Sequence, residues 1–165
     1  MNMTDVKDRG LVLLGCGKMG SAMLEGWLRT GLPPASVWVI DPNPSDWLQE
    51  QGVHIGAALP SNPAVAIIAV KPQMMEEALP DVKTLGNSDT LVISIAAGTA
   101  ISTFEDILGQ DTPIIRAMPN TPAAIGRGIT AVVGNERVTP NQMDLSEALL
   151  LSIGEVVRID AETQM

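Results

Sequence analysis

Three closely spaced glycines are the first residues of the chain whose pattern could do chemistry. Gly15, Gly17 and Gly20 follow the apolar run 11–14 and precede a segment rich in helix-forming residues. In such a strand–turn–helix unit the first glycine permits the bend, the second lets the backbone approach a pyrophosphate, and the third lets the helix pack on the strand. The start of the helix points unpaired N–H groups at the phosphates. The pattern predicts a dinucleotide site, with a purely structural tight turn as the alternative.

An acidic residue stands where such a site needs one. Asp41 ends the apolar run 37–40, about 20 residues after Gly20. A carboxylate accepts hydrogen bonds from the hydroxyls of the adenosine ribose and repels a 2′-phosphate, and residues 41–47 contain no Lys or Arg to offset that repulsion. Asp41 therefore favours NADH over NADPH. The alternative is a turn or capping role before Pro42.

Three further segments follow predicted strands. Lys71 and Pro72 end the apolar run 65–70, and the small residues Ala97 and Gly98 come after the run 90–95. Because the carboxyl ends of parallel strands meet at one edge of a sheet, we expect these segments to line the same site. Lys71 could also be a solvated charge at a strand end. The proline-bracketed loop 118–123, MPNTPA, follows the run 112–117 and is expected to be stiff.

Two residues with chemically active side chains are given no catalytic role. His54 stands alone in a short strand without Cys or His neighbours, so no metal site is predicted. Cys16 lies inside the glycine turn, where the start of a helix could lower the pKa of a thiol. A small packed residue is the favoured interpretation of Cys16.

Strands and helices are predicted to alternate along the whole chain. The connection 56–64 is too short and too broken by proline for a crossover helix. Further along the chain, Pro80 is expected to stop the predicted helix 74–79. This order predicts an α/β fold, a doubly wound, mostly parallel Rossmann-type sheet with helices on both faces, whose closing strands could be antiparallel at one edge. The predicted strands are 11–14, 37–40, 53–55, 65–70, 90–95, 112–117, 129–133 and 156–159. The predicted helices are 21–30, 74–79, 101–108, 140–151 and a short one that begins at residue 44 or 45 and ends at residue 51.

Composition limits the class of protein. The 165 residues, 45% of them hydrophobic, fit one domain over residues 1–165. The net charge of -9 argues against nucleic acid or an anionic membrane as partner. A single cysteine, a polar N-terminus without a secretion signal and the lack of a long apolar run favour a cytoplasmic protein.

Four motifs in order, GCGKMG, AVKPQ, SIAAG and RAMPNTPA, resemble the pyrroline-5-carboxylate reductase family over essentially the whole chain. MPNTPA is the most specific of them. The resemblance implies reduction of 1-pyrroline-5-carboxylate to proline, the last step of proline biosynthesis, with NADPH or NADH, of which family usage favours NADPH. It also implies a second, helical domain that binds substrate and forms a homo-oligomer. That domain is expected to begin shortly after Met165 and to be missing from this chain.

The resemblance assigns roles to particular residues. The coenzyme residues are Gly15, Cys16, Gly17, Lys18, Met19, Gly20, Asp41, Asn43, Asn62, Ala69, Val70, Lys71, Pro72, Ala97 and Gly98. Residues 15–20 would contact the pyrophosphate, Asp41 and Asn43 the adenosine, Asn62 the adenine side, and the rest the nicotinamide ribose. Met118, Pro119, Asn120 and Thr121 would lie on the substrate side of the nicotinamide.

No catalytic residue is assigned within the chain. Hydride transfer to a protonated imine depends mostly on positioning, and the group that orients or protonates the nitrogen is expected in the helical domain. Arg116 is interpreted as a surface charge, with a pair to the substrate carboxylate as the alternative. Two other functions stay open: a freestanding nucleotide-binding or regulatory module, and another two-domain NAD(P)- or F420-dependent reductase.

Overall fold

The chain folds around one eight-stranded sheet, seen in a computed structural model that describes residues 2–120 and 128–165. The strands are β1 (Leu11–Leu14), β2 (Val37–Ile40), β3 (His54–Ile55), β4 (Val65–Ile68), β5 (Leu91–Ser94), β6 (Ile114–Pro119), β7 (Gly128–Gly134) and β8 (Gly154–Arg158). The helices are α1 (Met3–Arg9), α2 (Lys18–Arg29), α3 (Asp46–Gln49), α4 (Met75–Ala78), α5 (Ile101–Leu108) and α6 (Pro140–Leu150). Short 3-10 helices cover Pro34–Ser36, Pro72–Met74, Leu79–Leu85, Leu151–Ile153 and Glu162–Gln164.

The strand order is β3-β2-β1-β4-β5-β6-β7-β8, so the chain builds outward from β1 in one direction and then returns to the other side of β1. The six strands from β3 to β6 are parallel, β7 is antiparallel to β6, and β8 runs parallel to β7. This confirms the predicted doubly wound, mostly parallel sheet with antiparallel closing strands. The strand order reverses between β1 and β4.

Both faces of the central strands are covered, which explains why their sequences are continuous apolar runs. Alternate residues of β1 point to opposite faces. Leu11 and Leu13 pack with Trp27 of α2 and Leu149 of α6. Val12 and Leu14 belong to a second cluster with Phe104 of α5. The glycine turn is therefore mounted on a strand that is buried on both sides.

The helix α1 has no counterpart among the predicted elements. Its residues are mostly polar, and Val6 is its one buried side chain. Local capping defines its start, because the Asn2 side chain accepts hydrogen bonds from the N–H groups of Thr4 and Asp5, and the Asp5 carboxylate accepts from the N–H of Asn2. A short polar helix of this kind has too little apolar periodicity to stand out from a polar terminus.

The α-helix predicted over residues 74–79 and stopped by Pro80 corresponds to α4, which ends two residues before this proline. The α-helix α4 ends at Ala78, but the 3-10 helix Leu79–Leu85 continues from it. Pro80 lies in the first turn of that 3-10 helix, where its missing N–H removes no internal hydrogen bond.

Residues 56–64, all described, form no helix, which confirms the abbreviated connection before β4.

The later strands differ slightly from their predicted bounds. β6 runs through Met118 and Pro119, two residues into the predicted loop, because Pro119 pairs with Thr130 of β7. β8 begins at Gly154 rather than Val156.

In the part of the chain that the structure describes, no helix has the length and apolar character to cross a membrane.

Candidate functional site

A cleft of about 900 Å³ opens at the carboxyl edge of the sheet, between the ends of β1 and β4. This is the point at which the strand order reverses, where doubly wound sheets bind their ligands. It is formed by the glycine turn, the end of β2, the segment after β4 and the 75–85 region. Of the predicted coenzyme residues, Gly15, Cys16, Gly17, Lys18, Asp41, Asn43, Ala69, Val70 and Lys71 line it.

The three glycines of the turn have different surroundings. Gly15 has a φ of +85°, and a Cβ there would lie 2.8 Å from the Val70 Cγ1. A Cβ on Gly20 would lie 2.9 Å from the carbonyl oxygen of Gly15, so the close approach of α2 to the turn requires glycine. Around Gly17, no atom of the described residues lies within 4 Å of such a Cβ. Gly15 and Gly20 are needed by the fold itself, whereas Gly17 faces open space.

The start of α2 is uncapped. Gly17 is its N-cap residue, and because glycine has no side chain it forms no side-chain capping hydrogen bond. The backbone N–H groups of Lys18 and Met19 in the first turn therefore lack a capping acceptor, and Gly17 and Lys18 at this positive end of the helix line the cleft. This arrangement is suited to an anionic group.

Asp41 joins the end of β2 to the glycine turn. Its Oδ2 accepts a hydrogen bond from the backbone N–H of Cys16 at 2.9 Å, and its Oδ1 accepts from the N–H of Asn43 at 2.8 Å. The second bond is the turn role that was the alternative for this residue. Because each carboxylate oxygen has a further lone pair and Asp41 lines the cleft, a turn role and a ligand role are compatible.

Cys16 is a packed residue. Its side chain belongs to the main core cluster, and the residue is 6% exposed. Burial raises the pKa of the thiol, the hydrogen bond with Ser21 lowers it, and the negative charge of Asp41 raises it further, with a net increase. The suggestion that the helix start lowers the pKa of Cys16 is therefore wrong, because burial of the thiol is the largest influence and raises its pKa.

Charged groups of both signs line the cleft. Lys18 and Lys71 are exposed at the turn and after β4, and Asp41 contributes a carboxylate. Glu77 and Asp81, which the sequence reasoning missed, add two more. Their spacing of four residues on a turning segment after AVKPQ was the signal that could have identified them.

The remaining predicted residues extend the site along the same edge. Gly98 follows β5 with a φ of +74°, and no described atom lies within 4 Å of a Cβ placed on it. Met118 and Pro119 end β6, and the Asn120 side chain accepts a hydrogen bond from the N–H of Ile129 at 3.0 Å. At ~4.8 Å between strands, β1 and β6 are roughly 14 Å apart. Ala97 and Pro72 are exposed on the same edge, and Thr121 and the rest of MPNTPA lie outside the described residues.

The assignment of Asn62 to the adenine side is a prediction that the structure contradicts. Asn62 precedes β4 and so lies at the amino edge of the sheet, opposite the glycine turn. Its side-chain oxygen accepts a hydrogen bond from Arg9 at 3.1 Å, and its backbone oxygen accepts from the same guanidinium. Because the connection 56–64 is short and contains no helix, Asn62 lies just before the start of β4 and not beside the cleft.

Arg116 is neither a surface charge nor available to a substrate in this structure. Its side chain is 12% exposed and forms an ion pair with Glu162 at 2.7 Å. Glu162 also accepts a hydrogen bond from the N–H of Ile101. Arg116 and Glu162 are 46 residues apart in the sequence, so no local pattern predicts that they form an ion pair.

His54 has a structural environment. Its ring stacks on Trp38 with ring centroids 4.4 Å apart, and its Nε2 lies 2.9 Å from the Ala35 carbonyl oxygen. Among residues 2–120 and 128–165, no group of three His, Cys, Asp or Glu residues could hold a metal ion.

Comparison with known families places this site in context. Residues 10–98, more than half of the chain, match the model of the family described as "NADP oxidoreductase coenzyme F420-dependent". The chain belongs to this NADP oxidoreductase family. The matched region runs from the residue before β1 to Gly98, so it contains all the residues that line the cleft.

Within the NADP oxidoreductase family, the chain is similar to pyrroline-5-carboxylate reductases. It is 39% identical over 140 residues to that enzyme of Escherichia coli, an alignment that covers 81% of this chain and 52% of the E. coli protein. The pyrroline-5-carboxylate reductase of Coxiella burnetii has a similar structure, with a TM-score of 0.86 and 31% identity over 94% of this chain and 60% of that one. The corresponding Plasmodium falciparum enzyme, solved with NADP bound, has a TM-score of 0.79 and 24% identity over 93% and 58%.

These findings confirm the resemblance seen in the motifs. The similarity to the C. burnetii reductase extends past the family match, through the strands that flank MPNTPA. The chain spans about half the length of the E. coli relative that it matches and 60% of the C. burnetii one.

Proposed function

We propose that this chain is the coenzyme-binding part of an NAD(P)H-dependent pyrroline-5-carboxylate reductase. The observation that carries the proposal is Gly17, which faces open space beside an uncapped helix start at the mouth of the cleft. A glycine that the fold does not need fits a backbone that a pyrophosphate must approach closely. 1-Pyrroline-5-carboxylate is proposed as the substrate because the E. coli and C. burnetii relatives are pyrroline-5-carboxylate reductases.

The coenzyme is proposed to lie along the carboxyl edge from β2 to β6. The pyrophosphate would contact residues 15–20, and the adenosine ribose would contact Asp41 and Asn43. The nicotinamide ribose would lie against residues 69–72 with Ala97 and Gly98, and Met118–Thr121 would face the substrate. Asn62 is left out of this assignment because it lies at the opposite edge.

In this proposal the residues of the chain bind and orient, and the coenzyme supplies the hydride. Backbone N–H groups of residues 15–20 and the Asp41 carboxylate would hold the dinucleotide, and its reactive ring would then lie near the end of β6. Orienting two reactants can supply a large part of a rate enhancement. Cys16 is buried with a raised thiol pKa, so it is unsuited to proton transfer or nucleophilic attack near neutral pH.

The residue that orients the imine nitrogen is proposed to belong to a helical domain beyond this one, with residues 1–165 as a single dinucleotide domain. The greater length of the relatives supports this, since 52% and 60% of their chains are matched. The same domain would form the homo-oligomer. A cytoplasmic location and small-molecule partners are proposed from the single cysteine and the net charge of -9.

NADH is proposed as the preferred coenzyme. Asp41 is held in place by two backbone N–H groups, and Glu77 and Asp81 add negative charge to the same cleft. A 2′-phosphate would bring further negative charge beside Asp41. Exposed Lys18 would lie beside the pyrophosphate and exposed Lys71 beside the nicotinamide ribose, which both coenzymes share, so neither lysine favours one coenzyme.

The test is oxidation of NADH in the presence of 1-pyrroline-5-carboxylate, with the chain alone and with a helical reductase domain supplied separately. Turnover only with the second domain supports the proposal. A freestanding nucleotide-binding module would bind NADH and give no turnover in either mixture. If NADH reduced coenzyme F420 instead of the imine, the chain would belong to an F420-dependent reductase rather than to a pyrroline-5-carboxylate reductase.

A further inference from the structure

One carboxylate oxygen joins three distant parts of the fold. The Oε2 of Glu162 accepts a hydrogen bond from Arg116 Nη1 at 2.7 Å and another from the backbone N–H of Ile101 at 3.2 Å. These partners are 46 and 61 residues away in sequence, on β6 and at the start of α5. We call these three residues the Glu162 bracket.

Each partner needs this carboxylate. The Arg116 side chain is 12% exposed, and a guanidinium so far removed from water is costly without an anionic partner. The N-cap residue of α5 is Ala100, which has no side-chain acceptor. Glu162 therefore supplies from outside the helix the acceptor and negative charge that a capping side chain would provide.

Glu162 is itself held by its surroundings. The Gln164 side-chain oxygen accepts hydrogen bonds from the N–H groups of Asp160 and Ala161 and closes the segment into a compact turn. Ile159 and Met165, on either side of that turn, pack against the second core cluster. The carboxylate is thus presented to α5 by a fixed segment rather than by a loose chain end.

The bracket controls one end of the loop that carries Gly98. On the β5 side, the loop is fixed by hydrogen bonds from the N–H of Ile95 to the Ile68 carbonyl and from the N–H of Ala96 to the Ser94 side chain. On the α5 side, the N–H of Ile101 donates to Glu162, and the Ile101 side chain is buried in the second core cluster. Between them, Gly98 has a positive φ and open space beside it.

We propose that Glu162 is a positioning residue for the nicotinamide half of the coenzyme, acting through Ile101 on the loop that carries Ala97 and Gly98. This rests on the proposed function, which places the nicotinamide ribose at that loop. The adenosine half would lie at Asp41 and the glycine turn, at the ends of β2 and β1, which are several strands away from Arg116 on β6. Loss of the bracket should therefore affect only ligands that extend beyond the pyrophosphate.

The test compares ADP, which has the adenosine half alone, with NADH, each titrated calorimetrically into the unaltered chain and into Glu162→Gln. The variant keeps the shape of the side chain and removes its charge. We expect its NADH dissociation constant to rise by about three- to tenfold while its ADP constant stays the same. Glu162→Asp, which keeps the charge, should recover part of the NADH affinity.

The matched control is Asp144→Asn, which removes a carboxylate that pairs with Arg158 on the outer surface. It should leave the affinities of both ligands unchanged. If Glu162→Gln weakens ADP and NADH equally, or weakens neither, the positioning role is overturned. If the unaltered chain binds neither ligand, the proposed function itself is overturned together with this role, whereas normal NADH binding by the variant overturns this role alone.

Discussion

The backbone N–H of Cys16 donates a hydrogen bond to the Asp41 carboxylate at 2.9 Å, and so ties the glycine turn after β1 to the end of β2. The other carboxylate oxygen accepts from the N–H of Asn43. A side chain restrained by two backbone donors loses little freedom when a ligand arrives, which favours binding. Asp41 therefore both shapes the turn and presents a fixed negative charge to the cleft.

Replacing that charge should change the choice of coenzyme. In Asp41→Ser, loss of the carboxylate removes an acceptor for the ribose hydroxyls and a repulsion toward a 2′-phosphate. We expect the ratio of NADPH to NADH affinity to rise by about tenfold, equivalent to ~1.4 kcal/mol. The ratio is the quantity to measure, because loss of the bond to Cys16 affects both coenzymes. Asp106→Asn, on the surface of α5, is the control, and an unchanged ratio in Asp41→Ser would show that Asp41 does not face the ribose.

The glycines of the turn should respond differently to alanine. Gly17→Ala places its Cβ in open space, so the melting temperature should be preserved while coenzyme affinity falls by about tenfold or more. In Gly20→Ala the new Cβ meets the Gly15 carbonyl oxygen, and the stability should fall by about 1–3 kcal/mol. Thermal melts and coenzyme titrations of both variants separate the two effects. Unimpaired coenzyme binding by a folded Gly17→Ala chain would remove the main support for the site.

The Cys16 thiol should be unreactive. Because burial raises its pKa in the folded chain, alkylation by iodoacetamide at pH 8 should be slower than in the denatured chain. The folded state favours the protonated thiol, so this contribution to stability is complete below the unfolded pKa and is lost as the pH rises through the folded one. The pH dependence of the alkylation rate provides the measurement. An inflection below that of a free cysteine would show that the helix start stabilises the thiolate.

Asn62→Ala should leave coenzyme binding intact. The residue lies at the amino edge, where its side chain and backbone accept hydrogen bonds from Arg9, which also bonds to Asp89. Since these groups are partly exposed, we expect a stability loss of no more than about 1 kcal/mol in urea unfolding. Weaker NADH binding at unchanged stability would instead restore Asn62 to the coenzyme site.

The sheet and the main part of the site could be predicted because their signals are local. Continuous apolar runs such as Leu11–Leu14 mark strands buried on both faces, and Gly15, Gly17 and Gly20 differ in the structure in the way their spacing indicated. The common edge of parallel strands then brings Asp41 and Lys71 to one cleft.

The features that were missed depend on packing between distant segments. Glu162 meets Arg116 only because the segment after β8 turns back across the sheet, and nothing in the spacing of the two residues indicates this. Asn62 was misplaced because a motif match ignores how a shortened connection enters β4. The helix α1 has Val6 as its one buried residue, so its apolar signal is too weak to detect.

The central claim is that the cleft between β1 and β4 binds a nicotinamide dinucleotide. Its most direct test is calorimetric titration of the unaltered, folded chain with NADH and with NADPH. We predict saturable binding of one molecule per chain, tighter for NADH than for NADPH. The absence of binding of either coenzyme to a chain shown to be folded would contradict the account.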